Sequence, residues 1–443
     1  MKNKLLIILG VIFAIIALIA YKGYRTYWLL TESGKFFKNQ EAVLSNVKGR
    51  WNTKSNDDNF PEYAKPYMPN ESITRELTDI SNFLYSNKND IYSYYKQEEL
   101  LKLIKNIIPN NLDRFKNQLV PIIKNKITQK KKNVALSFKE SESYPAPAKN
   151  VSFRNCVLFW YSLSRFLEKK NDTETSLLLS HAIFYLAKDM ITDNALCGTV
   201  FFRTTSLGFY EKACNSILIW ASSPKPYNSD LSKIVAKDIL DFVENEYSFS
   251  SNLKFEREII EEQLNAVFKH FANGALSYYP NTNQYKEFFD ILFDKPLKFI
   301  DKPIYEIEND IDNFEKEKRT FFMPLYGLFT QSFSQLLKVL FNPESIVALR
   351  FLQCCESNIT RAKRKYEETL ARMEFTAIAL SINSFYSEKN RLPTSMTELA
   401  NWFGKEFPKN RLSNKPYELD LEGKYLLYNK DLFDGLLYFN LRR

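Results

Sequence analysis

"NRLPTSMTEL", residues 390–399, ends one helical pattern and starts another. Asn390 can take the left-handed conformation that closes helices, a role in which only glycine is better suited. Pro393 lacks an N–H and has a fixed φ, so the first helix cannot run on. Ser395 and Glu398 have the S-x-x-E spacing of a capping box, which predicts a new helix from Met396. That helix runs to Phe403 and stops at Gly404. The stretch is therefore a corner between two helices.

Before the corner, a long helix is predicted from Pro343. Its middle is charged, and "FTAIALSINSFY" (375–386) has no charge at all, so that part is expected to be packed on nearly every side. After the corner, "YEL" and "KYLLY" read as strands around a turn at Glu422-Gly423, and "GLLYFNL" (435–441) reads as a third. These pieces make a small α+β module on a long helix.

The rest of the chain is read as helices. There are only 11 glycines in 443 residues, which favours helices with short connections over a turn-rich all-β fold. Two or three domains are expected at about 150 residues each. Hydrophobic residues make up 45% of the chain and aromatics 15%, enough to build a core and opposite to the composition of disorder. From Val151 to about Phe299 one helical pattern follows another, separated by short polar gaps such as "NDTE" and "SSPKPYN". Short gaps imply antiparallel neighbours, so stacked hairpins are expected, with Thr173 and Ser229 as N-caps. The hairpins have tetratricopeptide-like lengths but no 34-residue self-similarity, so no repeat array is expected. "WNTKSNDDNFPEYAKPYMPNES" (51–72) reads as a linker, and "SYPAPAKN" (143–150) as a boundary.

"LLIILGVIFAIIALIAY", Leu5 to Tyr21, is seventeen residues without a charge, near the lower limit for a transmembrane helix. Lys2 and Lys4 precede it, and Tyr24, Tyr27 and Trp28 follow as interfacial anchors. A cleavable signal peptide would have a shorter apolar run and small residues before the cut. After Ala20, Leu18 occupies one of those small positions, so an uncleaved signal-anchor is the reading. The N-terminal charges favour N-in, body-out. A prepilin leader is excluded, because Gly10 lies inside the apolar run and the next acidic residue is Glu32. "FFMPLYGLFTQSFSQLL" (321–337) is also uncharged. Its proline, glycine, glutamines and hydroxyls make it a buried or interfacial helix rather than a second span.

The net charge is +9, and part of the excess lies between Lys96 and Lys132, where ten Lys/Arg face three Asp/Glu. Such a stretch reads as a solvated helix face, with anionic lipid as the alternative partner. No nucleic-acid-binding signature accompanies it.

The ending resembles a bacterial module that reads roughly G-x-Y-P-x-S-L-x-E-L, then a proline segment, then D-P-F-x-G-K-P-L-x-Y. Leu392-Pro393, Ser395, Glu398-Leu399, Phe407-Pro408 and Lys415-Pro416-Tyr417 are the matching positions. The pattern is similar to the globular heads of type II secretion pseudopilins. It is also similar to the ending of large single-span helical proteins common in planctomycetes. The resemblance implies a membrane-anchored protein with a helical body and a pseudopilin-head-like end. Departures are Asn390 for the glycine, Leu392 for the aromatic, and Asn410-Arg411-Leu412 for D-P-F. Major pseudopilins bind calcium through loop aspartates, and "PKNRLSN" supplies none.

No catalytic constellation is found. His181 and His270 lie on separate helices, and His181 sits beside an apolar stripe as a core or boundary histidine. Cys156, Cys197, Cys214, Cys354 and Cys355 have no zinc spacing and read as small core hydrophobes. Glu256, Glu258, Glu261 and Glu262 read as an exposed face, with Arg257 pairing to Glu261. No catalytic, cofactor-binding or metal-binding residue is therefore assigned, and no cofactor is expected.

The fold expected is mainly α. An N-terminal transmembrane helix spans 5–21 within an anchor at 1–28. A linker and small helical region follow at 29–142. An antiparallel helical-hairpin body occupies 151–342, and 343–443 hold the long helix with the small α+β module. The function expected is that of a non-enzymatic, membrane-anchored interaction or scaffold protein. It would sit in the bacterial cytoplasmic membrane with its body outside the cytoplasm, its partners the lipid bilayer and other envelope proteins, not nucleic acid. The alternatives are an enzyme whose site forms only in three dimensions, or a binder of anionic lipid through 96–132.

Overall fold

The computed structural model describes residues 10, 13–14, 16–21, 23–24, 27, 31, 117, 121, 157, 160–161, 163–164, 167–168, 171–192, 200–222, 229–244, 249–272, 282–326, 358–422, 427–429 and 437–439. Helix accounts for 79% of them, so the protein is mainly α. The chain divides into two compact units. One comprises Met1–Asn52, Phe249–Lys302 and Glu306–Ile359. The other comprises Thr53–Ser248, Pro303–Tyr305 and Thr360–Arg443. A boundary therefore falls at Phe249, inside the 151–342 stretch that the sequence kept together.

The larger unit is built on α1 (Thr173–Thr192), α2 (Val200–Ala221), α3 (Ser229–Glu244) and α7 (Ile359–Lys389). α1 and α2 run antiparallel. Thr173 meets Trp220, Ser180 meets Ser216, and Phe184 meets Tyr210, so contacts advance along one helix as they retreat along the other. α2 is apolar around much of its girth and is packed accordingly, with Tyr210, Ala213, Ile217 and Trp220 buried. α7 runs parallel to α2. Lys365 pairs with Glu211 near one end, and Asn383 donates to the Ala221 carbonyl at 2.7 Å near the other. Every residue of 375–385 is buried, as its uncharged sequence predicted, while Tyr386 is exposed.

Three predicted starts move. Asn358 is not helical, so α7 begins at Ile359, and 343–357 of the helix expected from Pro343 lie outside the described residues. Thr173 and Ser229 are first helical residues rather than N-caps, a one-residue shift within the usual uncertainty of helix ends.

The corner is as predicted. Asn390 has φ 53°, and Gly404 closes α8 (Met396–Phe403) at φ 78°. The Glu398 N–H donates to Ser395 Oγ at 3.1 Å. The reciprocal arm is shifted by one residue: the Glu398 carboxylate accepts from the Thr394 N–H and hydroxyl instead of from Ser395. The Arg391 guanidinium and then those Thr394 bonds hold the Glu398 carboxyl down to about 2. Ser395→Ala is expected to cost about 0.5–2 kcal/mol, measured by thermal melting. No change in melting would mean that Glu398 alone holds the turn.

α8 docks along α3. Lys233 Nζ lies 4.1 Å from the Trp402 ring centroid, and Lys405 bridges Asp241 at 3.0 Å and Glu244 at 2.8 Å. Two strands follow, β1 (Leu427–Asn429) and β2 (Leu437–Phe439), antiparallel, with Leu427 opposite Phe439. "YEL" (417–419) is not a strand. Pro416 has no N–H to give a ladder, and Tyr417 turns its side chain under α7, where it is buried. The hairpin therefore uses the second and third predicted strands.

The smaller unit contains α4 (Phe249–Ala272), α5 (Thr282–Phe289) and α6 (Glu308–Tyr326). A π-helical turn, Asp290–Asp294, follows α5. Asp301 accepts the Ser250 N–H at 2.8 Å, satisfying one of the free donors at the start of α4. Arg257 pairs with Glu261 as predicted, at 2.8 Å, and also with Asp294 at 2.9 Å. Glu258 is exposed, but Glu256 is buried, so the acidic face is not uniformly exposed. Phe288, Phe289, Phe293 and Phe322 fill the core of this unit.

Of the expected span 5–21, Leu5–Leu9, Val11, Ile12 and Ile15 lie outside the described residues. The remainder is helical. Among the described residues no helix is long and apolar enough to cross a membrane. Cys156, Cys197, Cys354 and Cys355 also lie outside them, as do 327–337 and all of 96–132 except Asn117 and Pro121.

Candidate functional site

Four positions on α7 share one face at spacings of four, four and three: Lys363, Glu367, Ala371 and Glu374. Three carry charge, yet all four are buried. The turn at 410–415 lies against this face at Glu367 and Glu374. Asn410 pairs with Lys415 in an isolated bridge, Asn414 takes φ 57°, and the turn presents Arg411 to α7. Arg411 Nε donates to Glu374 Oε1 at 3.0 Å, and its Nη1 donates to Glu367 Oε2 at 3.3 Å. Lys363 Nζ pairs with the other Glu367 oxygen. The Tyr417 hydroxyl lies 3.3 Å from both the Ala371 carbonyl and Glu374 Oε2. Cations and carboxylates alternate in a chain: Lys363, Glu367, Arg411, Glu374.

Burial pushes the Glu374 carboxyl up to about 7, and the facing Arg411 only partly offsets this. The network can therefore take up and release one proton near neutrality. The opposite face of α7 carries Lys365 and Arg372, both turned to Glu211 of α2.

His181 forms a second buried polar pair. Its ring is fully enclosed, with Nε2 2.8 Å from Asp238 Oδ2, and the same oxygen accepts from the Tyr185 hydroxyl at 2.9 Å. Nδ1 makes no hydrogen bond among the described residues. The ring stacks on Phe184 with 5.3 Å between centroids. This pair ties α1 to α3, and it places His181 in the core as its apolar neighbours predicted. His270 is on α4, and its side chain lies outside the described residues. Cys214 is buried and unbridged, and burial pushes its thiol up to about 12, so it is not a thiolate at neutral pH.

Four serine hydroxyls make a third polar cluster. Ser164 and Ser180 are 2.7 Å apart, Ser180 and Ser216 2.7 Å, and Ser164 and Ser176 3.2 Å. Each hydroxyl answers another, which is how buried polar groups avoid the cost of lost water. Among the described residues no group of three His, Cys, Asp or Glu could hold a metal ion.

Sequence reasoning missed the Arg411 network. The signal available was the like-faced Lys363, Glu367 and Glu374 on a helix that turns apolar one residue later. No protein-family model matches the chain, and no curated protein and no solved structure matches it either.

Proposed function

We propose that the protein is a membrane-anchored interaction or scaffold protein, its helical body carried on the extracytoplasmic side of a bacterial cytoplasmic membrane. One observation carries the reading. Phe13, Ile16, Leu18, Ile19, Tyr21, Tyr24 and Tyr27 are helical, and each is more than half exposed. At 100° per residue they point to all sides of the helix. A helix apolar all round must be covered by protein or by lipid, and more than half of each of these side chains is left bare. Lipid is the covering that the flanking lysines and aromatics suit. The pseudopilin-like ending, inferred from residue pattern, gives the reading its second support.

The enzyme alternative has one observation in its favour, the two buried carboxylates that meet at Arg411. Each of their four oxygens already has a partner from the protein itself, so the scaffold reading is preferred.

The test is fractionation of the full chain. It is expected to sediment with membranes, to resist salt and alkaline extraction, and to be released by detergent. A chain lacking 1–28 is expected in the soluble fraction. A mature N-terminus near Tyr21 by mass spectrometry, or release of the full chain by salt alone, would overturn the anchor.

A further inference from the structure

We propose that residues 410–417 form a detachable, proton-linked cover over the Lys363–Glu374 face of α7. The face beneath is polar: a lysine, two glutamates and the Ala371 carbonyl that Tyr417 reaches. The cover is held by polar contacts through Arg411 and the Tyr417 hydroxyl, by the Tyr417 ring edge-on to Phe375 with 6.4 Å between centroids, and by Asn410, whose Nδ2 donates to Asn429 of β1 at 3.1 Å. Leu412 is the aliphatic side chain the turn buries. Ser413 is half-buried, and Asn414, Lys415 and Pro416 are exposed.

A purely structural seam would do as well or better with apolar residues. Replacing a buried ion network by well-packed hydrophobics is often neutral or stabilising. An ionic seam differs in one respect: its charged groups are tolerable to water when parted, and here the apolar surface uncovered is that of Leu412 and of the Tyr417 ring on Phe375. An apolar seam cannot open without exposing grease.

The proton enters through Glu374. The groups that face it are Arg411 and Tyr417 from the cover, with Glu367 and, through Glu367, Lys363 on its own helix. From α2, Glu211 is turned to Lys365 and Arg372 on the other side of α7. With the cover down, the Glu374 carboxyl sits at about 7; in water it returns to about 4.5. The covered state therefore holds a proton that the lifted state releases between those values. Acid keeps the cover down. The hold is lost as pH rises through neutrality, and the opening constant rises on the order of 100-fold.

The experiment is hydrogen–deuterium exchange on the full chain in detergent, from about pH 5 to pH 8, corrected for intrinsic exchange. The amides to follow are those of Asn410, Leu412, Ser413 and Asn414, all hydrogen-bonded within the turn. Their protection is expected to fall on the order of 100-fold while that of residues 375–385 holds steady. Glu374→Gln should make the turn's profile flat. Protection independent of pH in the native chain, or lost equally from 375–385, overturns the proposal, as does a profile unchanged in Glu374→Gln. Should that variant not fold, carboxyl carbon NMR titration of the native chain decides. A glutamate with its midpoint near 7 is expected, and midpoints all in the ordinary carboxylate range overturn it.

Discussion

Arg411→Met is expected to lower stability by about 3–5 kcal/mol at pH 8, the cost of removing one partner from a buried ion network. Methionine keeps most of the volume and all of the flexibility, so the loss is electrostatic rather than steric. Glu367 retains Lys363, but Glu374 is left with only the Tyr417 hydroxyl. Glu374 has an escape, since it can take up a proton. The penalty is therefore expected to shrink toward pH 5, where neutral Glu374 no longer needs a cation. The double variant Arg411→Met with Glu374→Gln leaves the Lys363–Glu367 pair intact and the site uncharged overall. It should recover much of the loss at pH 8, which no steric account would predict. Urea unfolding followed by circular dichroism measures all three chains. A loss below about 0.5 kcal/mol, or a double variant no better than the single, would show that the network contributes little.

The corner at 390–404 was legible because its determinants are local. Asn390, Pro393, Ser395, Glu398 and Gly404 act on the backbone within a few residues of themselves, through φ preference and capping. The antiparallel pairing of α1 with α2 was legible for a similar reason: a short connection between two apolar helices leaves little choice. Arg411 was not. It reaches Glu374 across 37 positions and Glu367 across 44, and nothing in "PKNRLSN" marks one residue as bound for the core. On α7 the charged residues before Phe375 gave no sign of burial, because a stripe of Lys and Glu is normally exposed. The turn that meets that stripe at Glu367 and Glu374 lies far from it in sequence. Arg411 also stands within Asn410-Arg411-Leu412, one of the places where the chain departs from the module it resembles. The strand reading of 417–419 failed for a related reason. Tyr417 has the right residue type for a strand, but a contact distant in sequence claims its side chain.

Trp220→Ala is expected to cost about 3–5 kcal/mol, as a large side chain removed from a core that cannot fully collapse. Trp220 is almost wholly buried near the end of α2, and its indole N–H donates to the Thr173 carbonyl at 2.9 Å. Its neighbour Ala221 offers the carbonyl that Asn383 of α7 binds. One residue thus lies beside two joints, α1 to α2 and α2 to α7. The two contributions separate by substitution. Trp220→Phe removes the donor but keeps most of the apolar area, so it loses about 1 kcal/mol for the hydrogen bond plus a smaller cavity term. The Thr173 carbonyl suffers little, since it opens α1 and has its own helical N–H to accept. The alanine variant should therefore fall well below the phenylalanine variant in urea midpoint. Equal losses would mean that the indole bond, and not packing, closes this end of the bundle. The stacking of α1 on α2 would then depend on polar contacts, at Thr173 and between Ser180 and Ser216, instead of on the apolar helix faces that run between Phe184 and Trp220.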